Sequence, residues 1–99
     1  MDIDVNSLKI VNNEAEKRFE IDLGGGHKAL LEYLPGQHTI TYHHTEVPRE
    51  FEGRGIAGKL AEHAMLYAQE HGLKVNALCP VVKRYVEKHT EFQPITWGF

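Results

Sequence analysis

The chain has 99 residues, enough for one domain and no more. Hydrophobic residues make up 41% and charged residues 25%, values near globular averages that exclude a mostly disordered chain. The net charge of −3 lacks the basic footprint that sequence-independent nucleic-acid binding needs. The one cysteine, Cys79, cannot form an internal disulfide and suits a reducing compartment. No apolar run approaches the ~18–20 residues of a membrane span. Met1-Asp2-Ile3-Asp4 lacks the apolar stretch of a secretory signal. The expectation is a single cytoplasmic domain over residues 1–99, with its core at about residues 8–95 and no membrane or nucleic-acid partner.

Residues 1–7 read as a frayed start and residues 9–12 as a short extended segment. Residues 17–23 alternate, with Phe19, Ile21 and Leu23 on one side, and read as a strand. Gly24-Gly25-Gly26 turns the chain into a second strand over residues 27–34. Pro35-Gly36 makes the next turn. Residues 37–47 are rich in β-branched and aromatic side chains and read as a third strand. Turns this short imply an antiparallel meander.

From Gly55 the period changes. Ile56, Ala57, Leu60, Ala61, Ala64, Met65 and Ala68 follow one face of an amphipathic helix, and Gly72 reads as its stop. A short strand follows over residues 73–78, and Pro80 opens a second helix that Val82, Tyr85, Val86 and His89 provide with a face. Pro94 and Trp97 suggest a packed tail with a short last strand. The strand–helix–strand unit predicts a right-handed crossover between parallel strands. The fold class is therefore mixed α/β: a sheet with an antiparallel N-terminal meander, a β-α-β unit and a second helix.

Glu52-Gly53-Arg54-Gly55-Ile56-Ala57 stands between the third strand and the long helix. The first helical amides have no internal partners, the helix dipole adds positive charge there, and glycines let a ligand approach the backbone. This suits a pyrophosphate, and it equally suits a tight turn that only allows close packing. No Gly-Lys-Ser/Thr follows, so it is not a Walker loop. The antiparallel strands before it argue against a dinucleotide fingerprint.

The wider stretch is more specific. His44-Thr45-Glu46-Val47-Pro48, then Gly53-Arg54-Gly55-Ile56-Ala57, then Leu60, with Cys79 later preceding a helix, resembles the coenzyme A motif of the GCN5-related N-acetyltransferase superfamily. More narrowly, it resembles that superfamily's smallest branch, single-domain N-acetyltransferase-like proteins of about this size, over residues 17–92. The resemblance implies a minimal version of that fold with acetyl-CoA as its cofactor. The amides of Glu52, Gly53, Arg54, Gly55, Ile56 and Ala57 would cradle the pyrophosphate. The strand end at Thr45 and Val47 would hold the pantetheine arm, which would lie in a splay between that strand and residues 73–78. One departure is Glu50, where the superfamily pattern begins with Gln or Arg. Arg49 and Arg54 are the alternative sources of positive charge.

Cys79 precedes Pro80 at a helix N-terminus, a position that favours a thiolate nucleophile. It would either attack the acetyl thioester or contact the coenzyme sulfur, and a buried structural cysteine is the competing reading. Tyr85 on the same helix is the candidate general acid that the resemblance suggests, and core packing with Val82 and Val86 is the favoured reading. His44 belongs to the motif and is expected to face the site, where a satisfied strand histidine is the favoured reading and a base or binding group the functional one, with Glu46, two residues on and on the same face, as the alternative base. His43 and His44 point to opposite faces of a strand and cannot share a metal, so no metal site is expected. Only Gly24-Gly25-Gly26 stands where superfamily enzymes insert two helices, so the acceptor side should be open. The function expected is N-acetyl transfer from acetyl-CoA to an amine acceptor, a protein among the candidates. The alternatives are coenzyme A binding without catalysis and a small protein-interaction module.

Overall fold

The structure is a computed structural model and describes residues 4–99. Its strands are β1 (Val11–Asn13), β2 (Arg18–Gly24), β3 (His27–Pro35), β4 (Thr39–Glu46) and β5 (Lys74–Ala77). Helix α1 (Ile56–Glu70) joins β4 to β5, and α2 (Pro80–Lys88) follows β5. Three 3-10 turns, Val5–Ser7, Arg49–Phe51 and Thr90–Ile95, have no counterpart in the sequence expectations. Residues 1–3 of the expected frayed start lie outside the described residues.

The five strands form one sheet in the order β1-β2-β3-β4-β5. Pairing is antiparallel from β1 to β4 and parallel between β4 and β5. This is the mixed sheet expected from three short turns followed by a helical crossover. Beyond the last helix, Thr96 bridges Val75 and the Trp97 amide donates to the Val75 carbonyl at 3.0 Å, so the tail docks on the outer edge of β5.

Cross-strand register keeps one face apolar. Phe19 stands opposite Leu31, Ile21 opposite Ala29, and Tyr33 opposite Tyr42, all buried. Helix α1 buries Ile56, Leu60, Ala61, Ala64, Met65 and Ala68 against this face. Its alanines leave room for the Tyr42 ring, whose hydroxyl donates to the Ala64 carbonyl at 2.6 Å. α2 adds Val82 and Val86 to the same core, next to α1. Each such fully buried side chain contributes roughly 1.5–3 kcal/mol, which fixes both helices on one side of the sheet. The opposite face carries Arg18, Glu20, Asp22, Lys28, Glu32 and Thr41, and no helix covers it among the described residues.

α1 stops as its glycine predicts. The Leu73 amide returns to the Ala68 carbonyl at 2.9 Å and the Gly72 amide to Gln69 at 3.3 Å, the paired bonds of a Schellman cap. That cap sets the direction in which the chain enters β5.

Candidate active site

Two events at one point of the sheet create the site. The first is a bulge in β4. Glu32 pairs with His44 while Tyr33 pairs with Tyr42, so His43 is the extra residue. The second is the parting of β4 and β5. The last parallel pair is Tyr42 with Ala77, and the Tyr42 carbonyl accepts both the Leu78 amide at 3.0 Å and the Cys79 amide at 2.9 Å. Beyond Tyr42, β4 runs on to Glu46 while the other chain turns into α2 at Pro80. The two segments diverge there, and among the described residues no strand pairs with that side of β4.

The bulge decides which side chains face the cleft from the helical side. Strict alternation from the buried Tyr42 would send His44 and Glu46 inward and Thr45 outward. One extra residue reverses this. Thr45, opposite the buried Leu31, and Val47 are half-buried on the helical side, while His44 and Glu46 are exposed on the uncovered face. His44 and Glu46 do share a face, with Nε2 and Oε2 3.7 Å apart. That face is the one opposite Thr45, which differs from the expectation that His44 points into the same space as the rest of the motif. His43 also departs from simple alternation, for the same reason. Among the described residues no group of three or more His, Cys, Asp or Glu side chains is placed to hold a metal.

Cys79 is the residue before α2 and is 3% exposed. Its sulfur lies 3.0 Å from the Thr45 hydroxyl, a contact between residues 34 positions apart. The two therefore meet at the point where β4 and β5 separate.

The loop before α1 has the backbone that an anion site requires. Gly53 and Gly55 take φ of 76° and 82°, the left-handed region that a side chain strains against. Gly55 caps α1 with no side-chain hydrogen bond, and no acidic residue stands in the helix's first turn. Its first amides are thus left for an external acceptor. Phe51, 4% exposed, anchors the preceding 3-10 turn in the core. His27 of β3 touches the same segment, with Nε2 3.6 Å from Glu50 Oε2 and its ring against Phe51.

A cleft of about 260 Å³ lies along Val47, Glu52, Gly53, Gly55, Ile56 and Ala57. It continues past Gly58 into a hollow of about 230 Å³ between the start of α1 and α2. A further stretch of about 330 Å³ reaches Lys59, Glu62 and the N-terminal turn. Gly58 borders all three stretches, and a Cβ placed on it would meet nothing within 4 Å. The cleft lies beside the first amides of α1, and the space around Gly53 and Gly55 is open, so these residues fit the diphosphate of the cofactor that the motif implies. Gly58 is absent from the sequence-level site, although Gly53, Gly55 and Gly58 stand in G-x-G-x-x-G spacing.

Tyr85 is not brought to Cys79. It lines the α1–α2 part of the groove, and its ring stacks on His89 one helical turn later, 3.9 Å between centroids. Burial raises the pKa of its hydroxyl, and Glu62 and Glu91 add to the shift, so the proton is held more firmly than in a free tyrosine. The structure therefore makes Tyr85 a groove wall.

Comparison with known proteins agrees with this geometry. The profile of the family described as GCN5-related N-acetyl-transferase matches residues 18–95. Protein NATD1 of Xenopus tropicalis is 36% identical over 87 residues, covering 85% of this chain and 79% of the relative. Protein NATD1 of Homo sapiens is 32% identical over 85 residues, covering 83% and 74%. A solution structure of a GCN5-like protein from Staphylococcus aureus aligns with a TM-score of 0.69 at 29% identity, over 93% of this chain and 90% of that one. This chain is a member of the GCN5-related N-acetyltransferase family, with a mixed five-stranded sheet parted between β4 and β5.

Proposed function

We propose that the chain binds acetyl-CoA along this groove and transfers the acetyl group to an amine. The observation that carries the proposal is the meeting of Thr45 and Cys79 where β4 and β5 part, two residues before Val47, which lines the cleft along the start of α1. In this reading the amides of residues 52–57 hold the pyrophosphate. The unpaired side of β4 at Thr45 and Val47 lines the pantetheine arm. The arm then points the thioester toward Cys79.

Acetyl-CoA supplies a thioester carbonyl carbon open to nucleophilic attack. Cys79 sulfur forms the new bond to that carbon, the coenzyme carbon–sulfur bond breaks, and the thiol proton leaves with the coenzyme sulfur. The amine then forms a bond to the same carbon and the Cys79 bond breaks. One amine proton passes through water to the Cys79 sulfur as its bond to the carbon breaks. The near-complete burial of Cys79 favours a second reading, in which the amine attacks the thioester directly and the cysteine only borders the coenzyme sulfur.

The test is mass spectrometry of the protein with acetyl-CoA, under native and denaturing conditions, beside Cys79→Ala. A native complex plus one acetyl group retained on Cys79 supports the covalent route. A complex without the label supports direct transfer or binding alone. No complex at any coenzyme concentration overturns the proposal.

A further inference from the structure

We infer that His27, at the start of β3 and outside the groove, is a positioning residue that fixes the turn Arg49–Phe51 and so sets the loop after it. The inference rests on the coenzyme reading above and adds a residue to it. Neither His27 nor Glu50 lines any of the three stretches of the groove, whereas Phe51, Glu52 and Gly53 do. His27 therefore acts on a ligand only through the turn it holds.

The glycine loop does not order itself. A Cβ at Gly53 or Gly55 would meet nothing within 4 Å, so no packing holds either residue in place. Glycine backbone also has the most freedom to lose when a ligand arrives. The buried Ile56 pins the downstream end of the loop, and its upstream end depends on the turn Arg49–Phe51. That turn is closed by its own bonds, from the Phe51 amide to Pro48 at 2.8 Å and from the Glu52 amide to Arg49 at 3.3 Å. These bonds give it shape without tying it to the sheet. Phe51 and His27 supply the tie. Phe51 enters the core, and the His27 ring meets it with centroids 5.3 Å apart at 59°. His27 Nε2 also lies 3.6 Å from Glu50 Oε2. One side chain thus grips two consecutive residues of the turn, one by its ring and one by its charge when protonated.

The hairpin before β3 delivers His27 to this place. Gly25 and Gly26 take φ of 60° and 81°, the two left-handed conformations of a type I′ turn, and Gly24 pairs directly with His27. His27 then shares the helical side of the sheet with the buried Ala29 and Leu31. Glu50, the departure from the superfamily pattern, gives its carboxylate to β3 here. At 65% exposure that ion pair contributes little alone, so the ring contact carries the larger part.

The test titrates coenzyme A into wild type, His27→Ala, His27→Phe, Glu50→Gln and His27→Ala/Glu50→Gln, with a denaturant midpoint for each. His27→Ala is expected to weaken binding by roughly three- to ten-fold. His27→Phe keeps a ring on Phe51 and is expected to recover most of that loss. It should then match Glu50→Gln, each about two-fold weaker than wild type through the lost ion pair. The double variant should bind no more weakly than His27→Ala, because the two residues act on each other. Wild-type affinity in His27→Ala, whatever its midpoint, overturns the inference and leaves the coenzyme reading intact. So does an additive loss in the double variant. If His27→Ala does not fold, wild-type affinity in both His27→Phe and Glu50→Gln overturns it. Failure of wild type to bind coenzyme A overturns both readings.

Discussion

The Thr45 hydroxyl lies 3.0 Å from the Cys79 sulfur, joining the free end of β4 to the first residue before α2. The contact exists because the His43 bulge turns Thr45 to the helical side. A hydroxyl there can donate to a thiolate or accept from a thiol, so it positions Cys79 in either state. Thr45→Val keeps the shape and removes the hydroxyl. It should slow acetyl labelling of Cys79 by roughly ten-fold, the worth of one hydrogen bond of about 1.4 kcal/mol in the transition state. Time-resolved denaturing mass spectrometry reads the rate, and Cys79→Ala sets the zero. Labelling at the wild-type rate in Thr45→Val would reduce the contact to packing.

The glycine loop separates binding from folding. Gly55→Ala forces a side chain into the left-handed region at φ 82° and should cost about 1–2 kcal/mol in a denaturant melt. Gly53→Asp also puts a carboxylate where the diphosphate is proposed to sit. It should abolish coenzyme A binding in a titration, with the melt still cooperative. Wild-type affinity in Gly53→Asp would place the diphosphate elsewhere.

Tyr42 ties the core to the parting of the strands. It is fully buried, its hydroxyl donates to the Ala64 carbonyl, and burial raises its pKa above the ordinary tyrosine value. Tyr42→Phe should lower stability by about 1 kcal/mol with little change in the denaturant slope. An unchanged midpoint would mean that the 2.6 Å bond makes no net contribution.

Glu20 predicts an acid limb of stability. Its carboxyl sits on the uncovered sheet face beside Arg18, receives Asn13 Nδ2 at 3.1 Å and has Lys28 Nζ at 3.4 Å. The hydrogen bond from Arg18 leads in holding its pKa below the ordinary 4.5, against the opposing effect of burial. A lowered carboxyl pKa stabilises the fold above the unfolded value, and the gain is lost as pH falls through the folded value. Glu20→Gln should therefore melt lower than wild type at pH 7. The difference should close as pH drops below about 4.5. A difference that does not shrink at all as pH falls would show that it comes from packing rather than ionisation.

Much of the architecture was legible in the residue pattern. Phe19, Ile21 and Leu23 alternate because β2 has one buried face. The helical period from Ile56 to Ala68 and the stop at Gly72 follow from α1 lying on that face. The candidate site was legible where the pattern is local: Thr45 and Val47 of the strand end, the two glycines of the loop, and Cys79 before Pro80. The 3-10 turn at Arg49–Phe51 was not, because three residues carry no measurable period.

The sequence by itself determined the element order, the apolar faces and the glycine backbone at the start of α1, since each depends on neighbours within a turn or a strand. Only the tertiary structure decided which side chains meet. A single bulged residue, His43, leaves no trace in hydrophobic alternation, yet it moves Thr45 toward Cys79 and sends His44 and Glu46 to the other face. The packing of α2 on α1 likewise brings Arg84 and Lys88 opposite Gly58, across a separation that no local pattern encodes. Periodicity reports the face of one element, whereas register and packing between elements are settled by the shared core they must fill.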